Sequence, residues 1–233
     1  MRLLPFFAFL ALLPCCSTIG GDALGNKPGP QGFRTVVIDA GHGGKDAGAV
    51  SHHTGQREKD ANLDLAKRLR SELSDSFRVV MMRSDDRFIE LDDRVKIASR
   101  YPDAILVSLH FNSGSSYRRG PETYWWRVDS HGLAVRCQRA MKSVAPASSN
   151  VGLSRRRLRL TRNPSIPCVL LEGGYLSNSV EARQISSADH RERLAKAIAK
   201  AIRAQAANGD AGTGPRPRFI MAPPSRGTDA PGS

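Results

Sequence analysis

Short apolar runs alternate along the chain with segments of helical periodicity, and this alternation constrains the fold more than any other feature. The runs lack the apolar-polar alternation of a half-exposed strand, and they are Thr35–Asp39, Arg78–Met82, Ala104–Ser108 and Cys168–Leu171. Such runs are typical of strands covered on both faces. Apolar residues recur at helical spacing in segments that begin near Ala61, Ser130 and Leu194. The pattern predicts a single α/β domain with a mostly parallel, doubly wound, twisted sheet flanked by helices on both faces.

Polar residues follow the predicted strands at the places where such a sheet forms ligand sites. His42 comes shortly after the first strand, His110 follows the strand Ala104–Ser108, and Glu172 directly follows the strand that begins at Cys168. Glu58 stands at the start of the first helix, where the helix dipole favours a carboxylate. We expect the four residues to converge at one edge of the sheet. Two imidazoles and a carboxylate suit zinc with an open fourth position, and a second carboxylate suits a general base.

Each of these residues also has a plain structural interpretation. His42 lies in a glycine-rich loop that lacks the features of a phosphate-binding loop, and it could be a loop histidine with no ligand. His110 could be a hydrogen-bonded imidazole at a strand end, and Glu58 a solvated carboxylate of a first helical turn. Glu172 is harder to explain in this way, because a carboxylate after a buried apolar run is poorly solvated.

The two ends of the chain differ in composition from its middle. The apolar run Leu3–Leu13 follows Arg2 and is too short to cross a bilayer of ~30 Å, so residues 1–23 are predicted to be a secretory signal peptide. Ordinary cleavage and lipid modification at Cys15 or Cys16 both remain open. Residues 24–32 would form a linker, residues 33–207 the folded domain that carries the candidate site, and residues 208–233 a disordered tail rich in Gly and Pro.

The formal net charge of +13 indicates an anionic partner. For an exported protein this favours the anionic polymers of the cell envelope over nucleic acid. No nucleic-acid partner is expected, and membrane contact is expected only through a lipid anchor. Cys137 and Cys168 are predicted to be buried free thiols, with a disulfide as the alternative in an oxidising compartment.

Several motifs match one enzyme family in both order and spacing. They are Val37–Gly44, Glu58–Asp60, Val107–Asn112 and Leu171–Asn178, with supporting matches at Arg83, Asp85, Leu91–Arg94 and Gly120–Tyr124. Together they extend over about Arg34–Ile202, which makes the set far more specific than any one motif. On these residues the chain resembles the zinc-dependent N-acetylmuramoyl-L-alanine amidases of the Amidase_3 family.

The resemblance implies that His42, Glu58 and His110 bind one Zn²⁺ ion and that Glu172 is the catalytic glutamate. It also implies the substrate, peptidoglycan, in which such enzymes hydrolyse the amide bond between N-acetylmuramic acid and L-alanine. Glu172 would take a proton from zinc-activated water and pass it to the departing amine. The expected location is the periplasm or cell envelope. A zinc carboxypeptidase or deacetylase acting on peptidoglycan, and a non-catalytic peptidoglycan-binding protein, remain the alternatives.

The chain departs from the family pattern in modest ways. Ala40 stands where proline is usual, and Gly173-Gly174-Tyr175 replaces a more apolar run. Some relatives that act in cell division carry an autoinhibitory helix between the second histidine and the catalytic glutamate. Here that interval has little room for an additional helix. We therefore expect an open site in a monomer that needs no obligatory activator.

Other polar and aromatic residues receive secondary interpretations. The arginine-rich segment Ser154–Arg162 is interpreted as a strand with one basic face, either solvated or in contact with peptidoglycan carboxylates. Tyr124, Trp125 and Trp126 could stack on sugar rings, but one or two of them are expected in the core. His52 and His53 lie in a loop near Glu58, and we do not expect either to be a metal ligand.

Overall fold

The structure, a computed structural model, describes residues 24–149 and 151–226. Its centre is a six-stranded sheet in the order β2-β1-β3-β6-β4-β5. Every neighbouring pair is parallel except β4 with β6, which is antiparallel. The strands are β1 Thr35–Ala40, β2 Arg78–Met81, β3 Ala104–Asn112, β4 Glu122–Trp125, β5 Gly152–Arg155 and β6 Cys168–Tyr175. The predicted mostly parallel α/β sheet is confirmed.

Six α-helices cover the two faces of this sheet in the described part of the chain. They are α1 Glu58–Leu73, α2 Leu91–Ser99, α3 His131–Val144, α4 Arg159–Arg162, α5 Ser179–Ser186 and α6 Ala188–Asn208. Side chains of α1, α3 and α6 pack with Val36 and Ile38 of β1 in the larger core cluster. Val37, between them, points into a second cluster with residues of α2 and α4. Burial on both faces explains why the strand residues are apolar without alternation. No helix among the described residues combines the length and apolar content of a membrane span.

Several local predictions need correction. β3 and β6 are longer than the apolar runs suggested, so His110 and Glu172 lie within strands and not after them. The arginine-rich segment is only partly a strand, because β5 ends at Arg155 and α4 begins at Arg159. Buried Leu158 and Leu160 hold this turn against the sheet. Helix α5 was not predicted.

Two predictions about polar side chains have different outcomes. Ser130 occupies the predicted N-cap position of α3, but its side chain makes no capping hydrogen bond. The Ser130 hydroxyl instead accepts from the backbone N–H of Cys168, at 2.9 Å. Cys137 and Cys168 are buried free thiols, as expected. Burial raises the pKa of each thiol to about 12.

The segments before and after the domain pack against it. In the predicted linker, the backbone N–H of Gly32 donates to the carbonyl of Ala206 at 2.8 Å, and that of Gly29 donates to the Asp210 carboxylate at 2.7 Å. Residues 209–226 of the predicted tail form no helix or strand, and they dock through their backbone carbonyls onto arginine side chains such as Arg155. Such docking needs little apolar surface, which is why composition missed it. Residues 1–23, with the predicted signal, and 227–233 lie outside the described residues.

Candidate active site

Three adjacent strands and helix α1 bring the four predicted site residues together. His42 lies in the loop after β1, and Glu58 is the first residue of α1. His110 in β3 is in register with Glu172 in β6, the neighbouring strand. The parallel arrangement of β1, β3 and β6 therefore places residues that are distant in sequence at one end of the sheet.

His42, Glu58 and His110, which we call the ligand triad, present their polar atoms to one point. The Oε1 atom of Glu58 lies 3.1 Å from Nε2 of His42 and 2.9 Å from Nδ1 of His110. The three potential ligand atoms all lie within 4.8 Å of one another. Two nitrogens and a carboxylate oxygen at this separation fit the donor set of a catalytic Zn²⁺ site, which takes three protein ligands and keeps one open position.

Neighbouring groups hold the triad in this orientation. Nδ1 of His42 lies 2.8 Å from Oδ2 of Asp46, which fixes the imidazole with Nε2 facing Glu58. The second carboxylate oxygen of Glu58 accepts from the backbone N–H of Ala49 at 2.9 Å. Partners of this kind orient metal ligands and contribute to metal affinity.

The loop that carries His42 is strained and is fixed by two buried arginines. His42 has φ 60°, and it is the only non-glycine with positive φ among the described residues, a conformation that costs about 1–3 kcal/mol. Arg94 donates to the carbonyl of His42 at 2.8 Å and forms a buried ion pair with Asp39. Arg83 donates to the carbonyl of Gly41 at 2.8 Å. These hydrogen bonds fix the backbone of the loop in its strained conformation and keep the His42 imidazole in place.

The surroundings of the site shift the pKa values of its two glutamates, Glu58 and Glu172, in opposite directions. Burial opposes the charged form of His42, but Glu58 and Asp46 outweigh it and raise the pKa of that imidazole to about 9. Burial also opposes ionisation of Glu58, yet the two imidazoles hold the pKa of its carboxyl well below the usual range. For Glu172, burial and then the charges of Glu58 and Glu122 raise the pKa well above its ordinary value. One carboxylate is thus suited to bind a cation and the other to exchange protons.

A second buried carboxylate, that of Glu122, lies beside Glu172 on the adjacent strand. Glu122 in β4 is paired with Glu172 in β6. The Glu122 carboxylate accepts from the hydroxyls of Ser154 at 2.7 Å, Tyr124 at 2.9 Å and Tyr175 at 3.3 Å. Glu172 has no such set: its Oε2 atom is buried without a hydrogen-bond partner in the described structure. A buried carboxylate oxygen without a partner, beside a triad that could hold a metal ion, is suited to act on a substrate or a water molecule.

The ligand triad and Glu172 line a cavity of about 680 Å³. In addition to the buried Arg94, its walls contain Arg118, Arg156, Arg159 and Arg226. The guanidinium of Arg118 lies 5.4 Å from the ring centre of Tyr175, and that of Arg156 lies 5.4 Å from the ring centre of Tyr124. The cavity therefore has the ligand triad and Glu172 in its lining together with several arginines.

The secondary sequence interpretations have mixed outcomes. Tyr124 and Trp125 are buried, as expected for one or two of the aromatic residues, and Trp126 is half-buried. His52 and His53 lie in an exposed turn and do not belong to the group of described residues that could hold a metal ion.

Sequence reasoning missed the roles of Asp46 and Glu122. Asp46 follows His42 by four residues, and this short spacing was a usable signal for a residue that orients the imidazole. Glu122 was noted only as part of a supporting motif. Its position beside Glu172 depends on the antiparallel pairing of β4, which the strand pattern did not reveal.

Comparison with known proteins supports one family. The model of the family Amidase_3, described as N-acetylmuramoyl-L-alanine amidase, matches residues 36–204. The chain is 33% identical over 178 residues to the probable cell wall amidase LytH of Staphylococcus saprophyticus, covering 75% of this chain and 59% of LytH. It is 31% identical over 200 residues to the N-acetylmuramoyl-L-alanine amidase LytC of Bacillus subtilis, covering 82% of this chain and 39% of LytC. The chain thus spans less than two thirds of these two relatives.

A solved structure agrees with the sequence matches. The catalytic domain of CwlV, an N-acetylmuramoyl-L-alanine amidase from Bacillus (Paenibacillus) polymyxa var. colistinus, superimposes with a TM-score of 0.70 and 39% sequence identity. The match covers 73% of this chain and 96% of the CwlV domain. The shared fold extends over nearly all of a solved amidase catalytic domain.

Proposed function

The chain belongs to the Amidase_3 family of N-acetylmuramoyl-L-alanine amidases, and we propose that it is a zinc-dependent hydrolase of peptidoglycan. The bond that it cleaves is the amide between N-acetylmuramic acid and the L-alanine of the peptide stem. Its ligands for one Zn²⁺ ion are His42, Glu58 and His110, and its general base is Glu172.

One observation carries this proposal. The three potential ligand atoms of the triad lie within 4.8 Å of one another, and the partnerless carboxylate oxygen of Glu172 is buried in the same cavity. A hydrogen-bonded histidine cluster without catalytic function would not need a second carboxylate beside it. The energetic cost of burying Glu172 without a partner is instead explained by its use in catalysis.

The side chains divide the reaction between them. When bound, Zn²⁺ lowers the pKa of a coordinated water and stabilises negative charge on the scissile carbonyl oxygen. Glu172 accepts a proton from the attacking water and delivers it to the departing amine nitrogen. Glu122 lies beside Glu172 on the neighbouring strand. Its charge raises the pKa of Glu172, so Glu172 holds the proton until it is delivered to the amine. Asp46 keeps the His42 imidazole oriented.

The same proposal includes the compartment and the state of the enzyme. A net charge of +13 suits an enzyme that acts on an anionic envelope polymer after export to the periplasm or cell envelope. Between His110 and Glu172 the described residues contain α3 in the core and the one-turn helix α4. We expect a monomer that is active without a protein activator. A marked increase in activity on adding an envelope protein partner would contradict this part of the proposal.

The test compares zinc content and product masses for three proteins. Wild type is expected to bind one Zn²⁺ and to release a peptide that begins with L-alanine from a muramyl peptide. Glu172→Ala should retain zinc and lose hydrolysis by about 10²–10⁴-fold, because the general base is absent. His110→Ala should lose both zinc and activity.

Each contrary result has a defined meaning. Normal turnover by zinc-loaded Glu172→Ala would refute the assigned base. Release of a terminal amino acid would identify a carboxypeptidase, and release of acetate a deacetylase. Binding of peptidoglycan without turnover by the wild type would identify a binding protein.

A further inference from the structure

The described part of the tail, residues 209–226, lies beyond the family match, which ends at residue 204. We call residues 218–226 the C-terminal strap. Arg155 donates to the carbonyl of Arg218 at 2.6 Å, and Arg162 donates to the carbonyl of Ala222 at 3.1 Å. The strap therefore follows the arginine-rich segment of the domain.

The end of the strap is anchored most firmly. The backbone N–H of Ser225 donates to the Asn163 side chain at 2.8 Å, and the amide of Asn163 donates to the carbonyl of Ser225 at 3.0 Å. Arg159 also donates to that carbonyl, and Ser225 is only 2% exposed. These anchors fix the backbone immediately before Arg226. All of them use strap backbone groups, so replacing the Arg226 side chain leaves them in place.

Arg226 reaches the cavity that contains the ligand triad and Glu172. Arg159, which is bonded to the carbonyl of Ser225 and ion-paired with Asp92, lines the same cavity, as do Arg118 and Arg156. The last two are held against buried tyrosine rings. The strap thus adds a cation to the part of the cavity lining that contains Arg118 and Arg156.

The chemistry of this wall indicates its ligand. A guanidinium presents a planar fork of N–H donors that matches a carboxylate. The peptide stem of peptidoglycan carries free carboxylates, and in the proposed reaction the stem occupies one side of the cleft. We propose that the C-terminal strap forms part of the substrate cleft and that Arg226 binds a carboxylate of the peptide stem. This inference rests on the proposed function, and it makes Arg226 a specificity-determining residue.

The experiment measures kcat and KM for a soluble muramyl peptide with wild type, Arg226→Gln, Arg226→Lys and Arg218→Gln. Arg218→Gln is the matched control, because it removes one charge from the same strap at an exposed position outside the cavity lining. Arg226→Gln should raise KM about fivefold with kcat unchanged, the effect of a well-placed exposed ion pair of about 1 kcal/mol. Arg226→Lys should recover part of this loss, and the control should match wild type.

A second substrate tests whether a carboxylate is involved. With a stem whose carboxylates are amidated, wild type should show the higher KM of Arg226→Gln, and the substitution should have no further effect. Asn163→Ala tests the placement of the residue: it removes two bonds to Ser225 and should raise KM while Arg226 is still present.

The outcomes separate this inference from the proposed function. Cleavage of the muramyl-L-alanine amide by wild type, with equal KM in wild type and Arg226→Gln, would overturn the role of Arg226 and leave the proposed function intact. An increase in kcat/KM for Arg226→Gln, for Asn163→Ala or on truncation after Gly214 would overturn the inference by identifying the strap as an obstacle to substrate. Absence of amide cleavage by wild type would refute the proposed function and, with it, the substrate named for the strap.

Discussion

The substitution Asp39→Asn tests whether the buried charge beneath the metal-binding loop holds both fold and site together. The Asp39 side chain is fully buried, and that of its partner Arg94 is 3% exposed. Asparagine has nearly the same shape and can still accept from Arg94 and bond the Ser108 hydroxyl, which lies 2.7 Å away. The substitution therefore removes a charge and leaves the packing unchanged. Arg94 cannot move to solvent, because it also donates to the carbonyls of Ala40 and His42.

The expected magnitude follows from this geometry. Breaking a buried ion pair by removing one partner costs about 3–5 kcal/mol, because the other charge remains desolvated. We expect a cost in the upper part of that range, because the guanidinium of Arg83 is also buried nearby. Burial, and next the charge of Arg94, lower the pKa of Arg83, and the charge of Asp39 opposes this. Without Asp39, the repulsion between the two guanidinium groups is opposed less strongly, by the smaller effects of Asp86 and Asp60 on Arg83. For a domain of this size, the melting temperature should fall by about 6–20 °C.

Urea unfolding and zinc affinity provide the assay. Asp39→Asn should lower the free energy of unfolding by 3–5 kcal/mol and weaken Zn²⁺ binding by about tenfold or more, because Arg94 positions the His42 loop. The matched control is Asp93→Asn, which breaks the exposed pair between Asp93 and Lys96 and should leave the free energy of unfolding nearly unchanged. A cost below about 1 kcal/mol for Asp39→Asn, or an unchanged zinc affinity, would refute the reasoning.

Two further substitutions test the site itself. Glu122→Gln should move the acid limb of the pH dependence of kcat/KM to lower pH. Burial and nearby carboxylates raise the pKa of Glu172, and removing the charge of Glu122 lowers it again. Because the base acts in its ionised form, the enzyme then stays active at lower pH. An unchanged or upward-shifted acid limb would contradict the coupling. Gly48→Ala should abolish zinc binding, because a Cβ there would lie 2.6–2.8 Å from two ligands of the triad. Gly55→Ala, which has a similar positive φ but nothing within 4 Å, should retain zinc, so equal loss in both would show that the clash is not the cause.

The fold class was predictable because burial on both faces leaves a direct mark on sequence. Val36, Val37 and Ile38 are consecutive apolar residues, and they divide between two core clusters on opposite faces of the sheet. Strand ends were less predictable, since polar residues such as His110 and Glu172 continue their strands beyond the apolar runs. Backbone hydrogen bonding fixes those ends, and composition does not report it.

The tail shows a different limit of sequence reasoning. Its Gly and Pro content indicates that it cannot build a core of its own. The structure nevertheless docks it, because arginines of the domain donate to its backbone carbonyls, and every sequence supplies such carbonyls. The order of the strap therefore resides in Arg155, Arg159 and Arg162, which the sequence analysis interpreted as solvated or substrate-binding residues.

The roles of the three site glutamates depend on their partners more than on their own positions in the sequence. Glu58 is surrounded by imidazoles and backbone donors, so it stays ionised and is suited to bind a metal. Glu122 receives hydroxyl donors from Ser154 and two tyrosines, so its carboxylate is immobilised. Glu172 has an oxygen with no hydrogen-bond partner among the described residues and lies beside both charges, so it takes up a proton most readily. The resemblance to known amidases implied the first and last of these roles. The structure supplies the physical reason, which is that each carboxylate has a different set of donors.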